Sequence, residues 1–109
     1  MNDTSDEIDV QALAHLKKQG APHVVLDVRE PDEVAICAIA DSLPVPMQQI
    51  PDQLDALPHD VPVVVMCHHG GRSRMVTQYL RNNGFDNAVN LAGGIDAWAR
   101  AVDPDMSRY

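Results

Sequence analysis

The stretch VVVMCHHGGRSRMV, residues 63–76, passes from an unbroken apolar segment into a cysteine, two histidines, two glycines and an arginine, and then into helical spacing. Residues 62–66, PVVVM, are apolar without alternation, the pattern of a strand covered on both faces. Residues 73–83 set Val76, Tyr79 and Leu80 at helical spacing and end at Gly84, a residue suited to closing a helix. A buried strand, a short glycine-bearing loop and a helix in that order make half of a βαβ unit, with Cys67 at the carboxyl end of the strand.

The pattern continues in both directions. Upstream, HVVLDV (23–28) is a β-branched run that predicts a buried strand, and Glu30-Pro31-Asp32-Glu33 predicts a helix start with proline at the first helical position. Residues 8–19 place Val10, Leu13, Ala14 and Leu16 close to helical spacing before Gly20. SLPVP (42–46) offers a short strand limited by its prolines, and 48–57 reads as one helix interrupted at Pro51, with Ile50, Leu54 and Leu57 on one face. Downstream, NAVNL (87–91) predicts a strand and GGIDAWARAV (93–102) a helix. Strands alternating with helices imply an α/β fold, a mostly parallel sheet with helices on both sides. In such sheets ligands bind at the carboxyl ends of the strands, which is where Cys67 sits.

Bulk properties set the limits. A chain of 109 residues with 45% hydrophobic content is one globular domain able to bury a core without staples. We expect a flexible tail over residues 1–7, the domain over 8–103 and a second tail over 104–109. Eight basic against sixteen acidic residues leave a formal charge of -8, with no basic run to follow a phosphate backbone, so nucleic acid is not expected as a partner. The opening MNDTSDEIDV has neither the basic nor the apolar region of a signal peptide, and no apolar stretch approaches a membrane span. These features lead us to expect a soluble cytoplasmic protein. Its cysteines, Cys37 and Cys67, are then expected as free thiols.

A thiol followed by glycines and a helix start lies where successive backbone N–H groups point at a negative atom. Gly70 and Gly71 let the backbone approach a ligand closely, and Arg72 adds a fixed positive charge. All of these favour thiolate over thiol, lowering the pKa from its reference of about 8.5 and making Cys67 a usable nucleophile. A lone cysteine on a core strand is more often simple packing. The His-His-Gly-Gly-Arg-Ser behind Cys67 reverses that preference and points to covalent catalysis.

DVREPDEV (27–34), CHHGGRS (67–73), GF (84–85) and LAGGIDAW (91–98) stand in the order and spacing of a rhodanese-like domain, which the chain resembles over nearly its whole length. The resemblance implies a five-stranded, mainly parallel sheet with helices on both faces. It also implies a single-domain sulfurtransferase without a cofactor, whose cysteine takes sulfur from a donor such as thiosulfate as a persulfide. A thiophilic acceptor then removes it: cyanide in vitro, a thiol or carrier protein in the cell. By position, Cys67 matches the persulfide-forming nucleophile. His68, His69, Gly70, Gly71 and Arg72 match the substrate-binding loop around it, and Ser73 the residue that opens the next helix. Asp27 and Arg29 match the acid and base of the first motif. We expect Asp27 to support the loop through Arg72 and Arg29 to supply positive potential.

The chain departs from the family where a Gly-His-Ile-Pro-Gly-Ala stretch is common, carrying Cys37-Ala38-Ile39-Ala40-Asp41-Ser42 there. Cys37 could resolve a persulfide on Cys67, but its place after a helix start favours packing. Adjacent His68 and His69 lack the spacing of a metal site, and no metal is expected. If protonated they would add positive charge to the loop. His15, His23 and His59 read as surface or capping residues, and Trp98, spaced with Ile95 and Val102, reads as a core anchor rather than a substrate wall. Cysteine phosphatases and arsenate reductases enclose an oxyanion with a Cys-x5-Arg loop; here four residues separate Cys67 from Arg72, a tighter ring that favours a single sulfur atom. A non-catalytic binding module of the same fold would commonly lack the cysteine.

Overall fold

A computed structural model describes residues 6–109. Along the chain, strand β1 (Glu7–Ile8) leads into helix α1 (Val10–Gln19), followed by β2 (Val24–Asp27), α2 (Pro31–Ile36) and β3 (Leu43–Pro44). Two 3-10 turns, Met47–Asp52 and Leu54–Ala56, then precede β4 (Val63–Met66), α3 (Gly71–Asn82), β5 (Ala88–Leu91) and α4 (Gly94–Ala101). The five strands form one parallel sheet in the order β1-β5-β4-β2-β3.

The apolar run at 63–66 is the central strand, every residue of it buried. Its register is fixed on both sides: Val24 lies opposite Val63 and Asp27 opposite Met66 on β2, while Val63 lies opposite Ala88 and Val65 opposite Asn90 on β5. Side chains alternate across a strand, so β4 feeds two cores. Val63, Val65 and Cys67 pack with Val76, Leu80 and Phe85 beneath α3. Val64 and Met66 pack with Leu13, Ile95 and Trp98 beneath α1 and α4. Trp98 is thus a core anchor.

The helix ends follow from local chemistry. The Asp9 carboxylate accepts from the Ala12 N–H at 2.8 Å to start α1, and Gly20, in the left-handed conformation at φ 65°, closes it. Pro31 opens α2, and the Glu33 carboxylate accepts from the Glu30 N–H at 3.0 Å, tying the first turn together.

Several expectations need correction. The single helix over 48–57 is instead the pair of 3-10 turns, because Pro51 has no N–H to donate and the Gln53 N–H bonds back to the Ile50 carbonyl, 3.0 Å away. Helix α3 begins at Gly71, bringing Arg72 into its first turn. The fifth strand, β1, falls where residue 8 was read as a helix start; it is held by Asn90 N–H to Asp6 C=O (2.7 Å) and Ala92 N–H to Ile8 C=O (2.8 Å). Residues 1–5 of the expected N-terminal tail lie outside the described residues. At the other end, residues 104–109 return over the domain: Met106 packs against the α1/α4 core and Tyr109 reaches the Cys67 loop.

Candidate active site

Cys67 is the first residue past β4 and is 1% exposed. Its Sγ is met by the N–H of Gly70 at 3.1 Å, the N–H of Ser73 at 3.4 Å and the hydroxyl of Ser73 at 3.3 Å. Gly70, at φ 111°, adopts a conformation that L side chains rarely take, and this turn aims its amide at the sulfur. Burial pushes the thiol pKa up. The Ser73 hydroxyl and the N–H groups of Ser73, Gly70 and Arg72 outweigh it, and the thiol ends below its ordinary value.

The carbonyl side of the loop is held separately. The first amides of α4 donate to it, Ile95 N–H to Cys67 C=O at 2.9 Å and Asp96 N–H to His68 C=O at 3.0 Å. A Cβ on Gly94 would come within 2.4 Å of both carbonyl oxygens, so only glycine lets α4 seat this closely. One helix start thus faces the sulfur and another faces the loop's carbonyls.

Arg72 does not reach Asp27. Its guanidinium forms a two-pronged pair with Glu33, Nη1 to Oε1 at 2.7 Å and Nη2 to Oε2 at 2.8 Å. That pair holds the Glu33 carboxyl down to about 2, against the pull of burial, and raises the Arg72 pKa. Asp27 instead grips Arg29, from Nε at 2.9 Å and Nη2 at 2.6 Å, with both side chains fully buried. The expected link from Asp27 to Arg72 is corrected on this ground: Arg29, two residues on, presents the closer fork.

The remaining donors of Arg29 are also engaged. Nη2 donates to the Cys37 carbonyl at 2.8 Å, and Nη1 to the Glu33 carbonyl at 3.3 Å and the Tyr109 hydroxyl at 3.2 Å. With its charge matched by Asp27 and its N–H groups used, Arg29 staples α2 and the chain after it to β2 and supplies no free positive potential. The staple stands where the glycines and histidine of the family's usual connection are missing.

The Tyr109 hydroxyl donates to Glu33 Oε2 at 2.8 Å, and its ring stacks on His68 with centroids 3.9 Å apart. Burial and the neighbouring His69 lower the His68 pKa, which disfavours the positive charge that a protonated imidazole would add to the loop. His69 projects outward with its side chain 67% exposed. His68, His69 and Asp96 bring potential ligand atoms within 4.8 Å of one another. The Asp96 carboxylate is already faced by Arg100 at 3.0 Å and Arg108 at 3.5 Å, charges that oppose a cation there. Gly71 takes up its place in the first turn of α3, and Cys37 packs against the α1/α4 core, across the sheet from the core that includes Cys67.

Three contributors escaped sequence reasoning. Glu33 was marked only as an acid at a helix start. Asn90, 2% exposed, is a polar residue in an otherwise apolar strand, two positions after Ala88 and so on the Cys67 side of the sheet. Its carbonyl oxygen accepts from the Ser73 hydroxyl at 2.5 Å, and its NH2 donates to Gly70 C=O at 3.3 Å and Glu7 Oε2 at 3.1 Å. Tyr109 gave no periodic signal at all.

The model of the rhodanese-like domain family matches residues 9–101. The chain is 38% identical over 95 residues to a sulfurtransferase of Allochromatium vinosum, covering 87% of this chain and 89% of that one. It is 31% identical over 107 residues to the thiosulfate sulfurtransferase GlpE of Pseudomonas aeruginosa, covering 98% and 96%. Of larger relatives named adenylyltransferase and sulfurtransferase, such as that of Zea mays, it spans only 24%. A rhodanese-like domain protein from Staphylococcus aureus superposes with a TM-score of 0.83 at 31% identity, covering 96% of this chain and 99% of that one.

Proposed function

The chain belongs to the rhodanese-like domain family, and from that premise we propose that it is a thiosulfate-type sulfurtransferase working through a persulfide on Cys67. The observation that carries the reading is the ring of donors on one sulfur: two backbone N–H groups and a hydroxyl within 3.4 Å of Cys67 Sγ. Such a ring gathers donors around a thiolate before reaction and around a persulfide anion after it. The names of the full-length relatives support the same chemistry.

In the first half-reaction the Cys67 thiolate attacks the outer sulfur of thiosulfate. The new S–S bond forms as the old one breaks, and its electron pair leaves with sulfite. In the second, a nucleophilic acceptor takes the terminal sulfur and the thiolate returns. Cyanide serves as acceptor in an assay, and a thiol or a carrier protein in the cell. No metal or dissociable cofactor enters either step.

The dianionic donor approaches past Arg72, which Glu33 largely neutralises. Attraction at the loop is therefore short-ranged and set by amide dipoles rather than by net charge. Intact-mass spectrometry after incubation with thiosulfate, without reductant, tests the reading: the wild type gains one sulfur atom and Cys67→Ser gains none. Absence of that gain with thiosulfate and with other sulfane donors would remove the proposal.

A further inference from the structure

The Ser73 hydroxyl has one hydrogen and two claimants. Asn90 Oδ1 lies 2.5 Å from Ser73 Oγ, and Cys67 Sγ lies 3.3 Å from the same oxygen. The amide orientation is not free: the NH2 of Asn90 faces two acceptors, the Gly70 carbonyl and the Glu7 carboxylate, so its oxygen must face Ser73. In the thiol state the directions then run one way, Cys67 S–H to Ser73 Oγ, Ser73 O–H to Asn90 Oδ1, and Asn90 N–H to Gly70 and Glu7. Every one of the three side chains is at most 2% exposed, so water does not substitute.

We propose that Asn90 is a positioning residue that holds the Ser73 hydroxyl away from Cys67 and so keeps the sulfur basic. When Cys67 ionises, its Sγ becomes an acceptor only, and the hydroxyl must turn from Asn90 to serve it. That turn strands Asn90 Oδ1 as a buried acceptor without a donor, a cost that falls on the thiolate form alone. The backbone part of the cradle does not depend on Asn90, because the Gly70 carbonyl also accepts from the Arg74 N–H at 3.1 Å within α3. Loss of Asn90 therefore acts through Ser73 and has a defined sign. The device has a chemical use, since a sulfur whose pKa falls well below ambient pH is ionised but a weaker nucleophile.

Among the described residues, the charged or titratable groups near the sulfur are His68 and His69 in its own loop with Asp96 on α4 and Tyr109 against them, Arg72 on α3 with its partner Glu33 on α2, and beyond Asn90 Glu7 on β1 with its partner Arg74 on α3. They are unchanged in the variants. The inference deepens the sulfur-transfer reading but is tested without it, through the pH dependence of Cys67 alkylation by iodoacetamide, with the site resolved by peptide mass mapping so that Cys37 does not contribute. Asn90→Leu, close in shape and without an acceptor, lowers the apparent Cys67 pKa by about one unit, roughly a tenfold gain in thiolate fraction below it. Asn90→Asp keeps the acceptor, adds negative charge and raises the pKa. In a Ser73→Ala background the effect of Asn90→Leu disappears. Trp98 fluorescence checks folding, and if Asn90→Leu does not fold, the Asp variant decides. An unchanged or raised pKa in Asn90→Leu, an unchanged or lowered pKa in Asn90→Asp, or a shift that survives in Ser73→Ala overturns the assignment. A protein that takes up no sulfur from thiosulfate would still give this titration, so the two proposals fail separately.

Discussion

Replacing Asp27 by asparagine tests how the first motif is built. Asp27 and Arg29 have no exposed side-chain surface, and the carboxylate takes two of the guanidinium N–H groups at 2.6 and 2.9 Å. Asparagine keeps the shape but leaves Arg29 as a buried charge without its counterion, and its NH2 turns a donor toward a donor. Removing one partner of a buried pair costs about 3–5 kcal/mol, a large share of the roughly 5–15 kcal/mol that holds a domain folded. For a chain of this size that is on the order of 15 °C in midpoint. Urea unfolding followed by Trp98 fluorescence should show the loss in the midpoint with little change in slope. The double variant Asp27→Leu with Arg29→Met removes both charges and should recover to within about 1–2 kcal/mol of the wild type. A cost for Asp27→Asn below about 1 kcal/mol would defeat the assignment and restore Asp27 as a support of the loop.

Other outcomes follow from the same contacts. Glu33, held at about 2 against an ordinary value of 4.5, contributes stability that is complete above 4.5 and lost as pH falls toward 2. Glu33→Gln should flatten that acid limb in urea midpoints measured across the interval, and a limb that stays as steep would place the titrating group elsewhere. Gly94→Ala puts a Cβ 2.4 Å from the Cys67 and His68 carbonyl oxygens at φ 61°, and should cost about 1–3 kcal/mol in urea unfolding together with sulfur uptake in the mass assay; a variant as stable and active as the wild type would mean α4 sits farther from the loop. Tyr109→Phe removes a hydroxyl shared by Arg29 and Glu33 and should cost about 0.5–1.5 kcal/mol, read by the same unfolding curve.

Much of this was legible in the residues, and for physical reasons. The run at 63–66 announced a doubly covered strand because no position in it tolerates water, and the glycines after Cys67 announced a loop because Gly70 has to turn through positive φ. Helix ends at Gly20 and Pro31 were marked by chemistry that acts within one turn. What stayed hidden depended on partners distant in sequence. Strand β1 is two residues long and draws its bonds from Asn90 and Ala92, so no local pattern encodes it. Arg72 meets Glu33 rather than Asp27 in a pairing across 39 residues of sequence that no local pattern encodes. Tyr109 is placed by Arg29, Glu33 and His68 together, from a segment with no periodicity of its own.

The alternation along β4 makes the strand's register a chemical variable. Val63, Val65 and Cys67 face α3, and Val64 and Met66 face α1 and α4. A slip of one residue would exchange the two sets, carrying the thiol to the opposite core and offering the amides of Gly70 and Ser73 a methionine thioether, which has no proton to lose. The misregistered chain would keep its strand content and much of its apolar burial. It would differ in how readily one thiol is alkylated near neutral pH. The fraction of chains with a fast-reacting Cys67 is therefore a count of correctly assembled sheets, available in a refolding mixture where circular dichroism would see no difference.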